Sequence, residues 1–291
     1  MSKVRCVWEG KNILAEAPIW CDRSKLLWWA NISKAELHSL DPQSGESRIF
    51  QLPGESLGSF ALRESGGFIL ALDNKIHAYD PNSGKLQLLM EVEPDSLGNR
   101  LNDSKCDRRG RLWIGSMDKH VQSPSGSFYR IAPDLSVSKQ FDDVLVPNSV
   151  AFSPDDKRLY FSDTRRFKIW TFDFDSDAGV ISNRRVFADT TGRPGRPDGS
   201  TADCKGFLWN AEFAGGRIVR YNPEGGIDKV IPVPVSQPTS VAFGGADLRT
   251  LFITTARIFL TDEQLQNQPM AGNILAVDLD VPGIPEPRFA G

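Results

Sequence analysis

The 291-residue sequence holds only three histidines, and that scarcity narrows the chemistry at once. His38 and His77 fall at the same position of two equivalent outer strands, as a packing repeat requires. Only His120 is left over, and no G-x-S-x-G stretch opens a helix as a nucleophile elbow does, which argues against a Ser-His-Asp hydrolase. A His-built transition-metal site fails for the same reason. The four cysteines, Cys6, Cys21, Cys106 and Cys204, show no CxxC spacing. They read as buried free thiols of a reducing cytosol, and a Cys6–Cys21 bridge has no support. No run approaches the roughly twenty apolar residues of a membrane span. The stretch Met1-Ser2-Lys3-Val4-Arg5 lacks the apolar core of a secretory signal, so a cytoplasmic location is expected. A net charge of −3 offers no broad field for nucleic acid or an anionic membrane, and no obligatory protein partner is implied.

Helical periodicity is almost absent too, and what stands in its place is repetition. Trp28, Ile69, Trp113, Tyr160, Trp209 and Phe252 each follow a turn and open a short apolar strand, roughly 41 to 49 residues apart. A second marker follows each of them: an alternating strand that commonly ends in Asp or Asn and a turn, as in Leu37-His38-Ser39-Leu40-Asp41-Pro42 and Ile218-Val219-Arg220-Tyr221-Asn222-Pro223. Both markers count six units. A unit of this length, with about four short strands, cannot bury its sheet alone and must stack on its neighbours. The expected fold is therefore all-β: one domain over residues 1–291, a six-bladed β-propeller with four antiparallel strands per blade. Val4 to Trp8 precede the first unit and read as the strand that completes the last sheet and closes the ring. Leu260 to Leu265 is the one stretch that reads as a short capped helix, expected on an outer face.

In a propeller the first strand of each unit runs beside a central channel. Counting back about eleven or twelve residues from each anchor gives Glu16, Gly58, Asn102, Asn148, Asp198 and Ser240. A carboxylate such as Glu16 inside an apolar strand needs a partner, and a divalent cation serves. Glu16, Asn148 and Asp198, with Asn102 nearby, form a candidate oxygen-ligand cation site that leaves positions open for water and substrate. Arg100 and Asn102 either point into the mouth to bind a polyhydroxylated or acidic ligand or belong to a polar loop. Asp103 reads as a turn cap. Asp118 stands where a strand runs out into a loop, and reaching ligand hydroxyls or lying solvated are equally open to it. Arg193 and Arg196 attract an anion or are solvated loop residues.

At these residues the chain resembles a known family, the six-bladed propellers of the regucalcin (senescence marker protein)/gluconolactonase type. The resemblance rests on Glu16-Ala17-Pro18-Ile19-Trp20, Asn99-Arg100-Leu101-Asn102-Asp103, Asn148 with Phe152-Ser153-Pro154-Asp155, Pro197-Asp198-Gly199 and Thr255-Ala256-Arg257, and it runs almost end to end. It implies one divalent metal, with Ca, Zn, Mn, Mg and Fe(II) all candidates, held by Glu16, Asn148 and Asp198. It implies sugar contacts from Arg100, Asn102 and Asp118, and hydrolysis of an aldono-lactone to its sugar acid. In the expected chemistry the cation polarises the lactone carbonyl, metal-associated water attacks, and Asp198 is both ligand and general base. A propeller hydrolase of phosphotriesters or other lactones, and a non-catalytic calcium-binding propeller, are the alternatives. Where the family commonly has Gly, this chain has Ala15, Ala17 and Ser149. If those glycines supply positive φ, the substitutions strain the site.

Overall fold

The computed structural model describes residues 3–291. Six four-stranded antiparallel sheets follow one another along the chain as blades of a β-propeller. Blades one to five span 15–51, 57–91, 99–144, 147–189 and 196–232. Blade six combines Pro238–Gly244, Thr250–Thr255 and Ile274–Asp278 with Arg5–Trp8, which pairs antiparallel with Ile274–Asp278. The closing strand is the expected one, and a sheet edge is thereby paired within the ring.

All six anchor residues lie in the second strand of their blades and are buried. Large side chains fill the wedges between blades. One such cluster gathers Trp113, Phe128, Phe152, Phe161 and Phe174 from blades three and four. Closure is also reinforced by packing, because Trp8 meets Trp29 of blade one at 4.9 Å between ring centroids and His38 at 5.5 Å. His38 and His77 do sit opposite equivalent positions, Trp29 and Leu70. Removing residues 3–8 is expected to lower the thermal midpoint and promote aggregation, since it exposes both a sheet edge and the Trp29 face. An unchanged midpoint in a thermal melt would refute that role for the strand.

A buried polar motif recurs at the turns between first and second strands. Asp107 accepts from Arg111 Nε at 2.6 Å and Trp113 Nε1 at 2.9 Å, and Asp203 accepts from Arg220 Nη2 at 2.6 Å and Trp209 Nε1 at 3.0 Å. A buried carboxylate is tolerated there because every lone pair is met. The tail after blade six crosses the far end of the channel. Phe289 is fully buried beside Arg63, Gly283 bridges to Asp203, and Glu286 pairs with Lys105 at 2.9 Å.

All four cysteines are free. Cys21 and Cys106 are buried and Cys6 half-buried, but Cys204 is exposed, contrary to expectation, because it falls in the turn after Asp203. The helix is Asp262–Asn267, capped by Thr261 and Gln264 in a reciprocal box. It lies between the second and third strands of blade six, just after Ile258 and Phe259, which line the channel mouth. No helix among the described residues is long and apolar enough to cross a membrane.

Candidate active site

Each inner strand carries a register break beside the channel: between Glu16 and Ile19, Leu57 and Ser59, Leu101 and Ser104, Asn148 and Ala151, Pro197 and Ser200, and Pro238 and Ser240. A bulge turns a side chain out of the alternating pattern, so six bulges in a ring aim side chains at a common axis. Two of them need left-handed backbone at residues that disfavour it, Ala17 at φ 49° and Ser149 at φ 57°. The strain expected of Ala17 and Ser149 is therefore present; Ala15 is not in that region. Ala17→Gly should stabilise the fold by about 1 kcal/mol in urea unfolding, by removing this strain. A loss of stability would show that the methyl group packs more usefully than the strain costs.

The open end of the channel is a cavity of about 460 Å³ lined by Glu16, Arg100, Asn102, Asn148 and Asp198. Four of the six counted positions thus converge on one space. The other two do not line it. Ser240 lies beyond the bulge of its strand and borders a small space deeper in the channel with Asp103 and Ser200. Gly58 serves close approach instead, since a Cβ there would sit 2.2 Å from the Leu101 carbonyl oxygen. A larger groove of about 660 Å³ between blades one and two holds none of these residues.

The amides hold one another in order. Asn102 Nδ2 donates to Pro147 O at 2.8 Å and Asn148 Oδ1 at 3.0 Å, while Arg100 Nη1 donates to Asn102 Oδ1 at 2.7 Å. Asn148 Nδ2 donates to Thr164 Oγ1 at 2.8 Å, which donates to Pro197 O at 2.8 Å. That chain turns Asn148 Oδ1 away from Thr164 and fixes its rotamer. Asp198 is seated by its backbone: its carbonyl accepts from Asn210 Nδ2 at 2.9 Å and from the Ser149 hydroxyl. Thr164 and Asn210 were invisible to counting along inner strands, because both belong to the second-strand side of their blades.

Three carboxyls face the channel, Glu16 and Asp198 at the mouth and Asp103 below them. Burial first, then the Asp103 charge, pushes Glu16 up to about 8, with Arg100 only partly offsetting. Asp198 is held well above the usual carboxylate range by burial and by Glu16 and Asp103. Asp103 rises to about 6 through burial, even though the Ser104 and Val150 amides donate to it. Asp103 is thus no turn cap: the bulge after Leu101 directs it inward, below the mouth. Arg100 is lowered to about 10 by burial.

Asp198 Oδ1 is buried with no donor reaching it, an orphan of the kind a cation satisfies. Among the described residues no three His, Cys, Asp or Glu side chains surround one point. The donor set is instead two carboxylates and one amide, all hard oxygens, which suits a divalent ion with open positions. Because the unfolded chain releases the Glu16 proton near 4.5 and the folded chain near 8, folded stability drops as pH rises through that window. The metal-stripped protein should melt progressively lower from about pH 5 to about pH 8, and added divalent cation should flatten the trend. A midpoint that rises over this range would contradict the carboxyl cluster.

Asp118 does not line the cavity. Its carboxylate accepts from the amides of His120 and Gln122 at 3.0 Å and Ser123 at 3.1 Å, shaping the loop that brings Lys119, His120 and Val121 to the mouth. Arg196 lines the mouth together with Arg165, whereas Arg193 does not.

Known proteins share this architecture. The family described as the SMP-30/gluconolactonase/LRE-like region matches residues 14–257. A 6-deoxy-6-sulfogluconolactonase of Pseudomonas putida is 39% identical over 290 residues, 99% of each chain. An L-arabinolactonase of Azospirillum brasilense is 35% identical, covering 97% of this chain and 94% of its own. The crystal structure of a calcium-binding protein, regucalcin, from Agrobacterium tumefaciens superposes with a TM-score of 0.95 at 34% identity, covering 99% of this chain and 97% of that one. The chain belongs to the SMP-30/gluconolactonase/LRE-like family.

Proposed function

We propose that the protein hydrolyses a sugar lactone to its aldonic acid, using a divalent metal held by Glu16, Asn148 and Asp198. The observation that carries this reading is the orphaned Asp198 Oδ1 at the base of a cavity of sugar size, beside a second carboxylate and an oriented amide oxygen. A metal bound there would supply positive charge to the oxyanion that develops on the lactone carbonyl. The chain's own groups do the rest. Asp198 takes the proton of the attacking water at the carboxylate oxygen not given to the metal. A new C–O bond forms at the carbonyl carbon, the ring C–O bond breaks, and Asp198 returns its proton to the departing ring oxygen, which leaves as a hydroxyl. Arg100 contacts the substrate oxygens. Asn102, whose amide hydrogens are already engaged, positions Arg100 and Asn148. Asp118 acts through the loop it shapes.

Support comes from two relatives whose names are those of sugar lactonases. Acid release from a panel of aldono-lactones, measured with a pH indicator on metal-stripped protein and again after adding back calcium, manganese, zinc, magnesium or ferrous iron, tests the reading. Metal-restored turnover is the expected result. Folded protein that binds calcium and turns over no lactone would favour a calcium-binding propeller, the second reading that the regucalcin likeness supports. The phosphotriesterase alternative needs a more apolar mouth. Phe213, Ile258 and Phe259 contribute one side of it, but Arg100, Lys119, Arg165 and Arg196 contribute more charge than such a substrate requires.

A further inference from the structure

The protein as a whole is slightly acidic, at −3, yet the rim of its cavity is basic. Lys119, Arg165 and Arg196 line it, and Glu55 is the one rim carboxylate. Glu55 is already matched to Lys119 at 3.1 Å. That leaves the two arginines without an acid. Several arginines elsewhere carry an acid, Arg111 with Asp107, Arg217 with Glu212, Arg220 with Asp203, and Arg166, next to Arg165, with Asp143, whereas Arg100 inside the cavity is held by the Asn102 amide oxygen and the Leu101 carbonyl.

Arg196 is held by its side chain and Arg165 by its backbone. Arg165 lies in the tight turn Thr164–Arg166, whose Thr164 orients Asn148. Phe167 ends that turn in left-handed backbone, and the Arg196 guanidinium stacks on its ring at 5.6 Å. One turn of blade four therefore serves both cations. Arg196 stands two residues before Asp198 on the same inner strand, and both line the cavity. A ligand seated against Asp198 therefore extends toward the two arginines at the rim.

We propose that Arg165 and Arg196 form a subsite for a fixed anion at the end of the substrate remote from its carbonyl, so that the preferred lactone bears a terminal sulfonate, phosphate or carboxylate. The proposal rests on the lactonase reading for placing the carbonyl beside Asp198. Two guanidiniums lining one mouth suit a tetrahedral or planar oxyanion. Two like charges side by side at the rim repel, and a bound anion relieves that repulsion.

Equilibrium binding separates this inference from catalysis. Calorimetry would compare gluconate with its 6-phosphate, its 6-sulfonate and the matching dicarboxylate, using wild type, Arg165→Gln, Arg196→Gln and the double variant, with inorganic phosphate and sulfate as controls. At least one charged-tail acid should bind about tenfold or more tighter than gluconate at low salt, with the advantage shrinking as salt rises. The ratio of the two Kd values should fall to near one in the double variant, whose fold is checked by near-UV dichroism. Which acid wins identifies the anion. Equal binding of charged and uncharged tails, an advantage that survives in the double variant, or binding of none of the acids would overturn the subsite. Turnover of neutral lactones with no preference for charged tails would overturn it too, while leaving lactone hydrolysis standing. Selective binding of charged acids with no lactone turned over by any metal form would leave the subsite and remove the hydrolase.

Discussion

Asp198→Ala should yield a folded protein whose kcat/KM for its lactone is at least about a thousandfold lower and whose divalent-metal affinity is strongly reduced. The side chain combines two roles at one position, cation ligand and proton acceptor, and no neighbour can replace both. Glu16 reaches the same space but carries a proton up to about pH 8 in the metal-free state. Asp103 lies below, occupied by two backbone amides. The fold should survive, because the Asp198 backbone carbonyl, not its carboxylate, makes the contacts to Asn210 and Ser149. Removing the carboxylate also removes an acid whose charged form burial and Glu16 disfavour. The metal-stripped variant should consequently melt at or above the metal-stripped wild type at neutral pH. Asp198→Asn separates the roles, keeping an oxygen donor while losing the base. Near-normal turnover in either variant would remove the mechanism.

The largest stability effect is expected far from the site. Asp203→Ala should lower unfolding free energy by about 3–5 kcal/mol in urea titration, because it strands a buried cation. The Arg220 guanidinium lies 3.8 Å from the Phe207 ring centroid and 5.4 Å from that of Trp209, and two of its nitrogens donate to Asp203. Trp209 Nε1 and the amides of Lys205 and Phe207 lose the same acceptor. Asp228 stays within 2.8 Å of Arg220 but on the exposed side, so it compensates little. A loss under about 1 kcal/mol would mean that water enters and satisfies the group. Activity per folded molecule should be unchanged, since this turn lies at the opposite end of the channel strand from Asp198.

The two effects illustrate what a linear reading reaches. The Trp113 and Trp209 anchors were plain because an apolar strand after a turn is a local pattern. Their carboxylate partners, six residues earlier, were missed because an Asp in a turn ordinarily reads as a solvated residue. Counting back from the anchors located Glu16, Asn102, Asn148 and Asp198 for the same reason that it misplaced Ser240. The count is blind to a bulge that falls before a residue instead of after it. Asp103 went astray likewise, as a bulge reverses the face on which a strand residue emerges. Asp118 occupies a fitting position in sequence, but its own loop engages its oxygens.

The sequence alone determined the six-bladed ring, its closure by the Arg5–Trp8 strand and the acidic and amide residues lining its inner strands. Those features follow from short-range alternation, turn chemistry and a repeat that recurs throughout the chain. Tertiary structure decided which of the six positions share one cavity, that Asp103 joins Glu16 and Asp198 as a third carboxyl facing the channel, and that Arg165 and Arg196 face the mouth with no acid paired to them among the described residues. Those outcomes depend on single-residue register breaks and on loops from neighbouring blades meeting in space, and no local pattern records either.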